Sequence, residues 1–116
     1  MAAIGLSFLK DGLKDKAVEI FNGLEALDPN DAYVQVLLGS VALEEEDFES
    51  ADQRFTRALK YNPYSVPALA YRGEARLRLG RAKEGRADLE AALRKDPAGK
   101  QAPTARARAM LAALPK

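Results

Sequence analysis

The sequence predicts an all-α fold, an α-solenoid in which helix-turn-helix units stack side by side and one further helix closes the far end. Three observations carry this. Five columns of residues recur at an interval of 34: Gly5, Gly39 and Gly73; Ala17, Ala51 and Gly85; Phe21, Phe55 and Leu89; Leu24, Ala58 and Ala92; Pro29, Pro63 and Pro97. Within one interval the apolar residues fall twice at helical spacing, first at Val34, Leu37, Leu38, Val41 and Ala42, then at Phe48, Ala51, Phe55, Ala58 and Leu59. Turn signals separate the paired stretches at Asp11-Gly12, Glu46-Asp47 and Gly80-Arg81.

Taken in order, the first unit covers residues 1–31 and by register would begin before Met1. The chain is therefore expected to open inside a helix without an N-cap, an end that frays, packs on another chain or is completed by upstream residues. The second unit covers residues 32–65. Gly39 and Ala51 are expected where its two helices cross, because minimal side chains let backbones approach, with Phe55 filling the space beside them. Asn62-Pro63 ends its second helix, since the residue before proline is pushed out of helical geometry. The third unit covers residues 66–99. After Pro97-Ala98-Gly99-Lys100 a last segment, 103–114, starts with proline in a first-turn position and carries Ala105, Ala109, Met110, Ala113 and Leu114 on one side. It reads as the helix that covers the last apolar face of the stack. Seven helices and a single domain over residues 1–116 follow.

These columns resemble the tetratricopeptide repeat, whose 34-residue signature places a small residue in the first helix, then alanine, an aromatic, alanine and a terminal proline. The resemblance covers residues 1–99. It departs where the family's early Trp and Leu would stand, which here are Gln35 and Leu38 in the second copy and Leu69 and Arg72 in the third. Leu24 stands where a small residue is usual, so the first copy is expected to be looser. The resemblance implies a protein-interaction module.

Chemistry is restricted by composition. There is no cysteine, histidine or tryptophan among 116 residues, which removes disulfides, thiolate and imidazole metal sites and every catalytic arrangement that needs Cys or His. No enzyme activity, cofactor or metal is expected. The acidic run Glu44-Glu45-Glu46-Asp47 lacks the alternating spacing and central glycine of a calcium loop, and reads as a solvated helix end. Gly80 and Gly85 have the spacing of a phosphate-cradling loop, but Arg86-Ala87 replaces the Lys-Ser/Thr pair and a helix precedes them instead of a strand. Gly80 is read as a helix C-terminal residue and Gly85 as a crossing contact.

The net charge of +1 hides a segregation: residues 1–65 hold six basic and twelve acidic side chains, residues 66–116 twelve and five. The basic half lacks interleaved aromatics for base stacking, so no nucleic-acid partner is expected. No apolar stretch approaches the roughly 20 residues of a membrane span. The opening Met1–Leu9 has neither a basic leader nor a small-residue cleavage site, so a cytoplasmic location is the expectation. Opposed halves also admit homo-oligomers, the acidic half of one chain meeting the basic half of another.

In stacked helix pairs the first helix of each pair lines the concave side. Spacing puts Leu6, Leu9 and their neighbours Ala2 and Lys10 on that face in the first copy, then Tyr33, Val36, Leu37, Ser40 and Leu43 in the second. In the third it puts Pro67, Ala70, Tyr71, Glu74, Leu77 and Arg78 there. Such an apolar stripe marks a groove for a short peptide segment of a partner protein, with Tyr33 and Tyr71 as anchors and Glu74 and Arg78 setting orientation. The capping helix or a second copy of the chain could also fill it. Family members that clamp the C-terminal carboxylate of heat-shock chaperones use Lys, Asn, Asn, Lys and Arg; the matching positions are Ala2, Leu6, Leu37, Pro67 and Tyr71, and none agrees. In size, repeat number and groove chemistry the chain is also similar to the small chaperones of type III secretion translocators, a resemblance that implies a scaffold or chaperone-like role.

Overall fold

The computed structural model describes residues 14–115, and they form six α-helices and no strand. In chain order these are α1 Lys14–Leu27, α2 Ala32–Glu44, α3 Phe48–Tyr61, α4 Val66–Arg78, α5 Ala82–Lys95 and α6 Ala102–Ala113. The expected first helix of the first copy, with Leu6 and Leu9 and the uncapped start, lies outside the described residues. The body measures 42 × 24 × 24 Å, elongated as a stack of helix pairs requires. Among the described residues no helix is long and apolar enough to cross a membrane.

Local chemistry sets the helix ends. Asp31 starts α2 by accepting the N–H of Tyr33 at 2.9 Å. Asp47 starts α3 through the N–H of Ser50, and Ser65 starts α4 through that of Ala68. The acidic run is thus a turn in which Asp47 serves as a cap, while Glu44 pairs with Lys14 at 3.2 Å. α3 stops at Tyr61, ahead of Asn62-Pro63, as the proline demands. α2 and α4 end in the same way. The N–H groups of Glu46 and Asp47 return to the carbonyls of Leu43 and Ala42, and those of Gly80 and Arg81 to Leu77 and Arg76. That pattern needs one residue in the left-handed region. Gly80 supplies it at φ 80°, whereas in α2 the residue is Glu46 at φ 62°.

The crossings are built by the repeated columns. Phe21, Phe55 and Leu89 are fully buried, as are Ala17, Ala51, Ala58 and Ala92. A Cβ at Gly39 would lie 2.6 Å from the Phe55 ring, so the missing side chain makes room for that ring. In the third copy Gly73 and Gly85 face each other so closely that a Cβ on Gly85 would stand 2.8 Å from the Gly73 carbonyl oxygen.

Of the positions that depart from the resembled pattern, Leu38 and Leu69 remain in the apolar core, while Gln35 and Arg72 join polar clusters. Gln35 is fully buried; its amide donates to Glu25 at 2.6 Å and its oxygen accepts from Arg54 at 3.2 Å, while Arg54 also pairs with Glu25. Burial pushes the Glu25 carboxyl up, but the Gln35 hydrogen bond and the Arg54 charge outweigh it and hold the group below its ordinary value. Arg72 donates twice to Asp88, at 2.8 Å each, and Arg76 reaches both Asp88 at 3.1 Å and Asp52 at 3.2 Å. Arg81 adds a bond to Asp52 at 2.9 Å. These pairs tie α3, α4 and α5 together, and those of Arg76 and Arg81 with Asp52 join the basic half of the sequence to the acidic one.

The last helix corrects the sequence reading of its packing side. Thr104 and Ala107 are buried and Met110 and Leu111 half-buried, whereas Ala105, Ala109 and Ala113 are exposed. Alanine on nearly every side makes the apolar periodicity of α6 too weak to orient it.

Candidate binding groove

α2, α4 and α6 line one side of the stack and enclose two hollows. The first, of 330 Å³, is bounded by Ser40, Leu43 and Glu44 of α2, Glu46 of the turn, Phe48 at the start of α3, and Tyr71, Glu74, Arg78 and Arg106. The second, of 440 Å³, runs between Leu77 of α4 and Ala109, Met110 and Ala113 of α6. Glu74, Arg78 and Arg106 border both, and no other residue does. The two hollows therefore adjoin at these three side chains.

The divider is an ion pair across the groove. Arg106 of α6 donates to both oxygens of Glu74 of α4, from Nε at 2.6 Å and Nη2 at 3.0 Å. Glu74 is only 5% exposed, so the bidentate pairing compensates a carboxylate that water barely reaches, and it keeps the guanidinium pKa above its ordinary value. Arg78 lies over the Phe48 ring, its guanidinium carbon 5.5 Å from the centroid. Tyr71 packs beside Phe55 with ring centroids 6.0 Å apart; burial pushes its phenol above the ordinary value, Arg106 opposes this and Glu74 adds to it. Ser40 donates its hydroxyl back to the Val36 carbonyl at 2.8 Å.

Six residues expected on the concave face, Ser40, Leu43, Tyr71, Glu74, Leu77 and Arg78, come together here. Others do not. Leu37, at 6% exposure, belongs to the core with Phe21 and Val34, and Ala70, at 1%, packs with Leu69 and Leu89. The reason is angular: both lie on the edge of the helix face that turns toward the neighbouring helix, and spacing alone cannot separate that edge from the open one. Val36 is half-buried against the Phe55 cluster, and Pro67 is half-buried in the first turn of α4. Tyr33 is 52% exposed at the start of α2 but borders neither hollow.

The wall made by α6, with Arg106 and Met110, and the contribution of Phe48 were not anticipated. A signal for the first was present: Ala107 stands 34 residues after Gly73 and is fully buried, so α6 continues the first-helix column by one more member. Among the described residues no group of three or more acidic side chains is placed to hold a metal.

Comparison with known proteins agrees with this architecture. No curated protein sequence matches the chain. Among solved structures it is similar to PcrH from Pseudomonas aeruginosa, at 27% identity over 97% of this chain and 86% of that one with a TM-score of 0.85. It is similar to the Arabidopsis OM64 TPR domain, at 29% identity over 92% and 87% with a TM-score of 0.81. It is also similar to the second TPR domain of human RPAP3, solved with the HSP70 peptide SGPTIEEVD, at 27% identity over 91% and 90% with a TM-score of 0.78. The family profile described as tetratricopeptide repeat matches residues 36–100. With the recurring columns, the paired helices and this match over more than half of its length, the chain belongs to the tetratricopeptide repeat family.

Proposed function

We propose that the protein is a non-enzymatic interaction module that holds a short, largely apolar peptide segment of a partner protein along the α2–α4–α6 groove, in a scaffold or chaperone-like role. The observation that carries this reading is the groove itself. Leu43, Phe48, Tyr71, Leu77 and Met110 are left half-buried around two adjoining hollows. Apolar side chains in that position gain when a ligand completes their removal from water, by roughly 25 cal/mol per Å² of area covered.

Two similar proteins support a peptide as the occupant. PcrH has been solved in complex with the chaperone binding region of PopD, and the second RPAP3 domain with a heat-shock peptide. Of these the first is the better guide to chemistry. The positions that would clamp a heat-shock carboxylate include Leu37, which is buried in the core, and Pro67 and Tyr71, which carry no charge.

The reading is tested by filling the groove from exposed or half-exposed sites. Ser40→Arg combined with Ala109→Glu should leave the melting temperature close to that of the parent. The variant should weaken a peptide selected on the parent chain by more than about tenfold in calorimetric titration, because each hollow then holds a charged side chain where the ligand packs. Equal affinity of the two folded proteins would contradict it.

A further inference from the structure

Resting on the reading of the groove as a peptide site, we propose that Arg78 and Arg106 seat a carboxylate from the interior of the bound segment, an aspartate or glutamate side chain flanked on both sides by apolar residues. Position argues for this first. Glu74, Arg78 and Arg106 are the common border of the two hollows, so a segment that fills both must pass over them.

Charge argues for it next. The border holds two guanidinium groups and one carboxylate. Glu74 is already matched by Nε and Nη2 of Arg106, which leaves Nη1 of Arg106 without an acceptor among the described residues. Arg78 has no carboxylate within ion-pair distance among the described residues, and its guanidinium rests over the Phe48 ring. A net positive charge is thus preorganised where the ligand crosses, and guanidinium groups recognise carboxylates through paired, directional N–H donors.

The surroundings set the register and the kind of carboxylate. Glu44 and Glu46 also line the first hollow but not the second, and repel an acidic side chain placed beside them. The remaining walls, Leu43, Phe48 and Tyr71 before the divider and Leu77, Met110 and Ala113 beyond it, call for apolar side chains. A chain-terminal carboxylate at the divider would leave one hollow empty, whereas an internal side chain allows both to fill.

Selection of a random-peptide phage library on the full chain tests this, followed by fluorescence anisotropy with synthetic versions of the enriched sequences whose termini are both blocked. Enriched peptides should carry Asp or Glu between apolar residues. Replacing that residue by its amide should weaken binding about tenfold at low salt, and in the Arg78→Gln chain, which keeps Arg106, the preference for acid over amide should fall severalfold. Arg78 is exposed and makes no ion pair among the described residues, so its variant should melt with the parent. Apolar enrichment without an acidic residue, equal binding of acid and amide by the parent, an acid preference undiminished in Arg78→Gln, or a requirement for a free C-terminus would overturn the carboxylate seat and leave the groove reading standing. Failure to enrich any peptide would overturn both.

Discussion

Glu46 shows how much a single residue can conflict locally with the turn it occupies. The turn closing α2 requires a left-handed backbone, and the same turn in the next copy uses Gly80. Position 12, one interval earlier in the sequence, is also glycine. A side chain in this region costs roughly 1 to 2 kcal/mol through the contact of Cβ with the following carbonyl oxygen, offset in part because glycine loses more backbone freedom on folding. Glu46→Gly should therefore raise stability by about 0.5 to 1 kcal/mol, read from the midpoint of urea unfolding at unchanged slope. A variant no more stable than its parent would show that the Glu46 side chain offsets its own strain.

At the scale of elements, α6 is attached by a device that the sequence did not announce. The N–H of Gln101 at 2.9 Å and that of Lys100 at 3.2 Å both donate to the Asp96 carboxylate, which lies at the end of α5. These bonds hold the Asp96 pKa below its ordinary value. Because the folded value is the lowered one, the contribution to holding α6 is complete above the ordinary aspartate pKa, roughly 3.9, and is lost as pH falls through the lowered folded value. Hydrogen-exchange protection of α6 relative to α3 should fall with acidification in the parent and change little in Asp96→Asn; parallel behaviour of the two proteins would refute the linkage.

The same helix marks the limit of what spacing reveals. The pairs were legible because Phe21, Phe55 and Leu89 and the small residues facing them are imposed by helix crossing at every repeat. The turns were legible through Asn62-Pro63 and Gly80. The face of α6 was not, because alanine on all sides erases the amphipathic signal, and the bidentate Arg106–Glu74 pair joins residues whose separation in sequence no local pattern encodes. Leu37 and Ala70 were placed on the open face because helical period fixes a residue's angle only to within the width of one side chain. Ser40, Leu43, Tyr71 and Leu77 line the two hollows.

For the whole molecule, the stack gathers one network of ion pairs on a single side. Arg72, Arg76 and Arg81 are engaged by Asp52 and Asp88, so the face built from α3 and α5 serves to lock the repeats. The opposite side, where α2, α4 and α6 leave apolar surface around Glu74, Arg78 and Arg106, is the proposed binding face. The most direct test is a titration of the isotope-labelled chain with a selected peptide, followed by amide chemical-shift mapping. Shifts should concentrate at Ser40, Leu43, Tyr71, Leu77, Arg78 and Met110 and spare Gln53, Arg57 and Glu90 on α3 and α5. Saturable shifts centred on α3 and α5, with the groove amides unmoved, would contradict the assignment of the groove as the binding site.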